Sequence, residues 1–210
     1  MNKSSIKALL FDLGGVVLEV DFTKVFHSLA SISALDAKEI KHQFSMDWHY
    51  QQHERGGIEA SEFFQHLRHT LQLTATDDEI AQAWNDIFGR QMTASLDAID
   101  TISNEIPCYG FSNTNRTHQT YWEYHYPRIP TTFVKLFVSS EIGLRKPDAS
   151  AFEFVLREMS VEPEEVLFFD DTQENIDGAK RLGIQTILVT GADTVVNTIR
   201  DLNSLSEAKR

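Results

Sequence analysis

Four short signals in this chain have residue types suited to chemistry at phosphorus. The first is Asp12, which follows an apolar run and precedes Leu13-Gly14-Gly15. An aspartate at the end of a buried strand, followed by glycines, can present its carboxylate while a ligand approaches the backbone amides. Such a carboxylate can attack a phosphoryl group, giving an aspartyl-phosphate that water then hydrolyses. The reaction gathers anionic oxygens that need a cation, and magnesium favours carboxylates together with substrate oxygens. Asp171, with Asp170 beside it, can supply further metal ligands from a distant part of the chain. Charge developing on the transferred group also needs hydrogen-bond donors and a positive side chain. Ser112 with its following amides, and Lys146, have those types. Singly, none of these signals is specific, because Asp-Asp and Lys-Pro pairs are common on surfaces.

The elements around them decide whether they can meet. The run Ile6-Lys-Ala-Leu-Leu-Phe11 reads as a buried parallel strand that ends in a functional loop. Ile106-Pro-Cys-Tyr-Gly-Phe111, Leu167-Phe-Phe169 and Gln185-Thr-Ile-Leu-Val189 have the same form, and Lys135-Leu-Phe-Val-Ser139 is a weaker fifth. Helical patterns separate them, among them residues 151–159 and 175–182, the latter stopped by Gly183. Strands alternating with helices predict an α/β fold with a doubly wound, mostly parallel sheet. Ligands bind beyond the carboxyl ends of the strands in such sheets, where Asp12, Ser112, Asp170 and Asp171 fall. Residues 22–96 differ, with no convincing strand and apolar residues at helical spacing, such as Phe63, Phe64, Leu67 and Leu71. The expected division is a core of residues 1–18 and 97–210 with a helical cap of residues 19–96. A cap that follows the Asp12 loop directly can close over the site. The polar end from Asn203 is expected to fray.

Composition narrows the function classes. The 210 residues carry a net charge of −12, which opposes nonspecific binding to nucleic acid or anionic membranes. No apolar run reaches membrane length, and the N-terminal one is too short for a signal peptide. The single cysteine, Cys108, cannot form an internal disulfide and reads as a buried strand residue. A cytoplasmic protein acting on a small phosphorylated substrate is expected, with no oligomeric state assigned.

In this order the motifs resemble the haloacid dehalogenase (HAD) superfamily. Its four motifs appear as Leu10-Phe-Asp-Leu-Gly-Gly-Val-Val17, Phe111-Ser-Asn-Thr114, Leu144-Arg-Lys-Pro-Asp148 and Phe168-Phe-Asp-Asp-Thr-Gln-Glu-Asn175. Ser112-Asn-Thr-Asn-Arg-Thr-His118 and Arg145-Lys-Pro147 look closer still to its sugar-1-phosphate phosphatases, the glucose-1-phosphate phosphatase-like group. The resemblance implies Asp12 as nucleophile and magnesium ligand. It implies Ser112, Asn113 and Lys146 as phosphate contacts, Lys146 also orienting the nucleophile. Asp171 and the carbonyl of Gly14 become metal ligands, with Asp170 auxiliary.

One position departs from the superfamily pattern. Most HAD phosphatases carry an acid two residues after the nucleophile, where this chain has Gly14. The carbonyl survives; the proton shuttle, typically worth ~10²–10⁴-fold, does not. Glu19 and Asp21 are the nearest substitutes in sequence. The glycine also admits two alternatives, a metal-independent 2-haloacid dehalogenase and a binding module without turnover. Against the first, the Asp170-Asp171 pair would weaken Asp12 as a nucleophile unless a cation sits among them. Against the second, a binder needs no nucleophile.

Other residues carry softer expectations. Trp48, His49, Tyr50 and Arg55 are candidates for substrate selection by the cap. Arg116 and His118 follow the second motif in the first turns of a helix, Arg116 reading as structural or solvent-facing ahead of a substrate-gripping role, and the run Tyr121-Trp-Glu-Tyr-His-Tyr126 reads as packing ahead of stacking on a sugar. His42, His49, His53, His66 and His69 share no metal-ligand spacing and are read as no metal site.

Overall fold

The computed structural model describes residues 6–207, with side chains to residue 203. Strands β1 (Ala8–Phe11) and β2 (Leu18–Val20) come first. Five helices follow: α1 (Phe22–Ala30), α2 (Ala37–Gln43), α3 (Trp48–Glu54), α4 (Ala60–Leu71) and α5 (Asp77–Asn85). Next come β3 (Phe88–Gln91), α6 (Thr93–Ile102), β4 (Cys108–Ser112), α7 (Arg116–His125), α8 (Arg128–Thr132) and β5 (Lys135–Val138). The chain ends with α9 (Ser139–Ile142), α10 (Ala149–Met159), β6 (Val166–Asp170), α11 (Gln173–Arg181), β7 (Gln185–Leu188) and α12 (Ala192–Glu207). The expected fraying beyond Asn203 is met by helix as far as Glu207, and residues 208–210 lie outside the described residues.

Five strands pair in parallel in the order β5-β4-β1-β6-β7, the α/β sheet that the alternation predicts. The period of two along β1 sorts its side chains. Leu9 and Phe11 enter one core with α6, α7 and α12, contributed by Leu96, Ile99, Trp122, Val195 and Ile199. Ala8 and Leu10 enter the opposite core with Phe152, Val155, Ile176 and Ala179 from α10 and α11. Apolar side chains cover both faces, which is why these strands are almost unbroken apolar runs. The chain winds from β1 to β4 and β5 on one side, then crosses to β6 and β7. The carboxyl ends of β4, β1 and β6 therefore stand side by side, and Asp12 N donates to Phe169 O at 2.8 Å.

Helices α1 to α5 have a core of their own. It is built on Val25, Leu29, Ile40, Phe63, Leu67, Ile80 and Trp84, and Phe22, Phe44 and Tyr50 pack their rings against Trp84. The expectation that residues 22–96 hold no strand is wrong at β3, which pairs antiparallel with β2. Phe88-Gly-Arg-Gln91 has no β-branched residue, so local propensity does not mark it. The pairing is tertiary, extended by Asp21 N to Ile87 O at 2.8 Å and Met92 N to Val17 O at 2.8 Å. The α6 residues Leu96, Ile99 and Ile102 pack under the main sheet, not into the helical unit.

Candidate active site

The nucleophile loop is shaped by one glycine more than by the other. Gly15 has φ +67°, and a Cβ there would stand 2.2 Å from Asp171 Oδ2. Any side chain would drive Asp171 away from Asp12, so glycine is required for backbone conformation and for space together. Gly14 is under no such demand. A Cβ at position 14 would meet Val20 Cγ2 at 3.3 Å and Asp12 Oδ2 at 3.9 Å. Val20 thus borders the space that an acid at position 14 would enter.

Lys146 ties the strand ends together. It is 1% exposed, and its Nζ donates to Asp12 Oδ1 at 2.8 Å, Asp170 Oδ2 at 2.7 Å and Phe111 O at 2.8 Å. All three ammonium protons are used, over the rings of Phe111 and Phe168. Asn113 fixes the lysine's backbone by donating Nδ2 to Lys146 O at 2.8 Å and accepting Lys146 N at 2.9 Å. These bonds use the carbonyl oxygen and one of the two Nδ2 protons, and Asn113 also lines the cavity over Asp12. Asp170 is fully buried with both oxygens engaged. Oδ1 accepts from Thr172 N at 2.8 Å and Asn175 Nδ2 at 3.0 Å, and Oδ2 accepts from Lys146 and from Asn175 at 3.1 Å. It lies beneath the cavity and supports Lys146.

Asp12, Asp170 and Asp171 each offer an oxygen, and these oxygens lie within 4.8 Å of one another. Three carboxylates thus face one ammonium. Burial pushes the Asp12 carboxyl up to about 7; Lys146 opposes this, and Asp170 and Asp171 add to it. Burial, then Asp170, also raises Asp171. For Lys146 burial works against the charge, but Asp12 and Asp170 outweigh it and hold the pKa above its usual value. Every direction is toward taking up protons, as expected where anions exceed cations. Oxygen donors with surplus negative charge suit a hard divalent cation between Asp12 and Asp171.

A cavity of about 410 Å³ opens over these groups. Asp12, Gly14, Ser112, Asn113, Lys146 and Asp171 line it from the sheet side. Across from them stand Val20, Phe22, Met46, Tyr50 and Glu54. Tyr50 was expected there. Trp48 is 59% exposed and is not among the lining residues, His49 stacks on His66, and Arg55 pairs with Asp148 at 2.8 Å. Sequence reasoning missed Met46, Glu54 and Arg145. Glu54 Oε2 accepts from Arg145 Nε at 2.8 Å, and Ser139 Oγ donates to Glu54 O at 2.6 Å, which docks the end of α3 beside Lys146. Only the adjacency of Arg145 to Lys146 hinted at this contact. The substitute acids do not reach the cavity: Asp21 caps α1 through Thr23 N at 2.8 Å, and Glu19 accepts from Arg90 N at 3.1 Å. His118 is structural, its Nε2 3.0 Å from Trp84 O and its ring stacked on that indole. Burial drives its pKa down to about 3, so it stays neutral.

Residues 6–183 match the family of haloacid dehalogenase-like hydrolases, and the chain belongs to that family. It is similar to D-ribitol-5-phosphate phosphatase from Bacteroides thetaiotaomicron, 30% identical over 186 residues that cover 86% of this chain and 90% of that one. A HAD-family enzyme from the same organism, crystallised with magnesium and inorganic phosphate, superposes with a TM-score of 0.77 at 30% identity, covering 87% and 93% of the two chains. L-2-haloacid dehalogenase from Xanthobacter autotrophicus shares the fold, with a TM-score of 0.63 at 18% identity over 86% of this chain and 76% of that one.

Proposed function

We propose that this protein is a magnesium-dependent phosphatase that hydrolyses a small sugar or polyol phosphate through a phosphorylated Asp12. The observation that carries the reading is the buried contact of Lys146 with both Asp12 and Asp170, three residues from three separate motifs. Asp12 Oδ1 is held by Lys146, which orients the carboxylate for in-line attack by its other oxygen. Ser112, at the end of β4, lines the cavity and provides a hydroxyl donor for the phosphoryl oxygens. Asp12, Asp171 and the Gly14 carbonyl would hold the ion, with Asp170 behind them steadying Lys146 and Asn175. When bound, magnesium neutralises charge on the phosphoryl group. As Asp12 bonds to phosphorus the ester P–O bond breaks and the leaving oxygen takes a proton from water; the resulting hydroxide then attacks phosphorus, the P–O bond to Asp12 breaks, and the carboxylate returns.

The helical unit, assigned to residues 19–96, acts as the cap. Tyr50, Glu54, Phe22 and Met46 face the leaving group, and a cavity of about 410 Å³ suits a sugar-sized one. The charged Asp170-Asp171 pair favours phosphoryl transfer over halide displacement, which needs no cation.

The test is phosphate release from a panel of pentose, pentitol and hexose phosphates, with and without magnesium. Release is expected only with magnesium, and Asp12→Asn should abolish it. Chloride release from a 2-chloro acid without metal would assign the dehalogenase reaction instead. Retained phosphate release in Asp12→Asn would remove the nucleophile from the account.

A further inference from the structure

Five histidines fall between residues 42 and 69 with no common spacing, yet folding brings two of them to one carboxylate. Asp47 precedes α3, His49 lies in its first turn, and His66 lies midway along α4. Each offers a ligand atom, and the three atoms lie within 4.8 Å of one another. His66 Nε2 stands 2.8 Å from Asp47 Oδ2, and the imidazoles of His49 and His66 stack with centroids 3.9 Å apart and planes 12° apart. Asp47 is held in place because its Oδ1 accepts Tyr50 N at 3.1 Å, which leaves Oδ2 for the histidines. All three side chains are half-buried, so solvent ions reach them while packing supports them. Beneath them α3 is pinned to α4 by the stack of His53 on Phe63 at 4.4 Å.

We propose that Asp47, His49 and His66 form a second metal site, on the helical unit, for a transition-metal ion of the zinc type. Two imidazole nitrogens and one carboxylate oxygen are the donor set that zinc and cobalt(II) take, while magnesium takes oxygens and keeps water. The two clusters of this protein thus sort ions by ligand chemistry. Zinc binds nitrogen and oxygen at about 2.0–2.2 Å, so neighbouring donors in a tetrahedral shell stand roughly 3.3 Å apart. The 2.8 Å pair must open slightly, and because the two rings stack in near-parallel planes, one imidazole must turn out of the stack to aim its in-plane lone pair at a shared ion, a rotamer change open to half-exposed side chains. Water completes the shell. An ion here ties the start of α3 to α4, and α3 carries Tyr50 and Glu54 into the Asp12 cavity.

The experiment uses the full chain, stripped with chelator, saturated with magnesium to satisfy the oxygen-rich site, and then titrated with cobalt(II). One equivalent is expected to bind saturably, with the visible absorption of low-coordinate cobalt and a rise in melting temperature. His49→Gln and His66→Gln should each weaken binding by at least about tenfold, the worth of roughly one ordinary ligand contact. Circular dichroism of both variants reports whether they are folded, and Asp12→Asn should leave the cobalt signal in place. The proposal fails if cobalt does not saturate in the magnesium-loaded protein. It also fails if binding survives both histidine substitutions in folded protein, or if it vanishes with Asp12→Asn. None of these readouts depends on turnover, so a failure of the phosphatase reading and a failure of this one are separable.

Discussion

The strand-end cluster and the helical-unit cluster contain the same kind of residue, an aspartate beside potential partners, but are built in opposite ways. Asp12, Lys146 and Asp170 are buried, and each is held by backbone or side-chain bonds from a separate strand end. Asp47, His49 and His66 are half-exposed and share two helices that pack at one end. Burial raises the stakes of charge. Among the strand ends each ion must be balanced because little water can do it, whereas on the helices water screens what the protein leaves undone. The core is organised around its charges and the helical unit around its rings.

The largest effect is expected from Lys146→Met, which keeps the volume and removes the ammonium. Asp12 and Asp170 are then left as buried carboxylates without their common cation, and the unfolding free energy should fall by about 3–5 kcal/mol in urea titrations. If the loss is no larger than that of a surface lysine, the site is wetter than its burial implies. Next in size is Arg145→Ala. Glu54 is 5% exposed, and burial already raises its carboxyl against the pull of Arg145 and Tyr50. Losing the arginine should cost about 2–3 kcal/mol and raise KM more than it lowers kcat, because α3 docks less firmly.

Per unit of change, the smallest effect is in pH. Without divalent cation, the Asp12 carboxyl titrates near 7 in the folded protein and near 4 unfolded, so folding favours its protonated form. That contribution is complete below about pH 4 and is lost as pH rises toward about 7, at no more than about 1.4 kcal/mol per unit. Magnesium should flatten the decline, since it takes the proton's place among the carboxylates. Denaturation at pH 5 and pH 8, with and without magnesium, measures both slopes. A metal-free protein whose stability rises over that interval contradicts the charge balance drawn for the site.

Much of the core could be read from residue order alone. Apolar runs that end in Asp12, Ser112 and Asp170 fixed the strands, and their alternation with helices fixed the parallel sheet, because buried parallel strands leave no polar face to confuse the pattern. The glycines after Asp12 were visible as a pair, but only the structure separates them. Gly15 is demanded by its φ and by Asp171, while Gly14 borders space that Val20 partly fills.

The helical unit was legible only as helices. Strand β3 exists because β2 lies beside it, and Glu54 reaches Arg145 across 91 positions of sequence. His49 and His66 meet because α3 and α4 pack, not because of their spacing. Chain order determines what a strand end carries, since the sheet sets neighbouring ends side by side in one way. Which helix faces meet depends on packing angles between side chains far apart in sequence, and those were decided only when the chain folded.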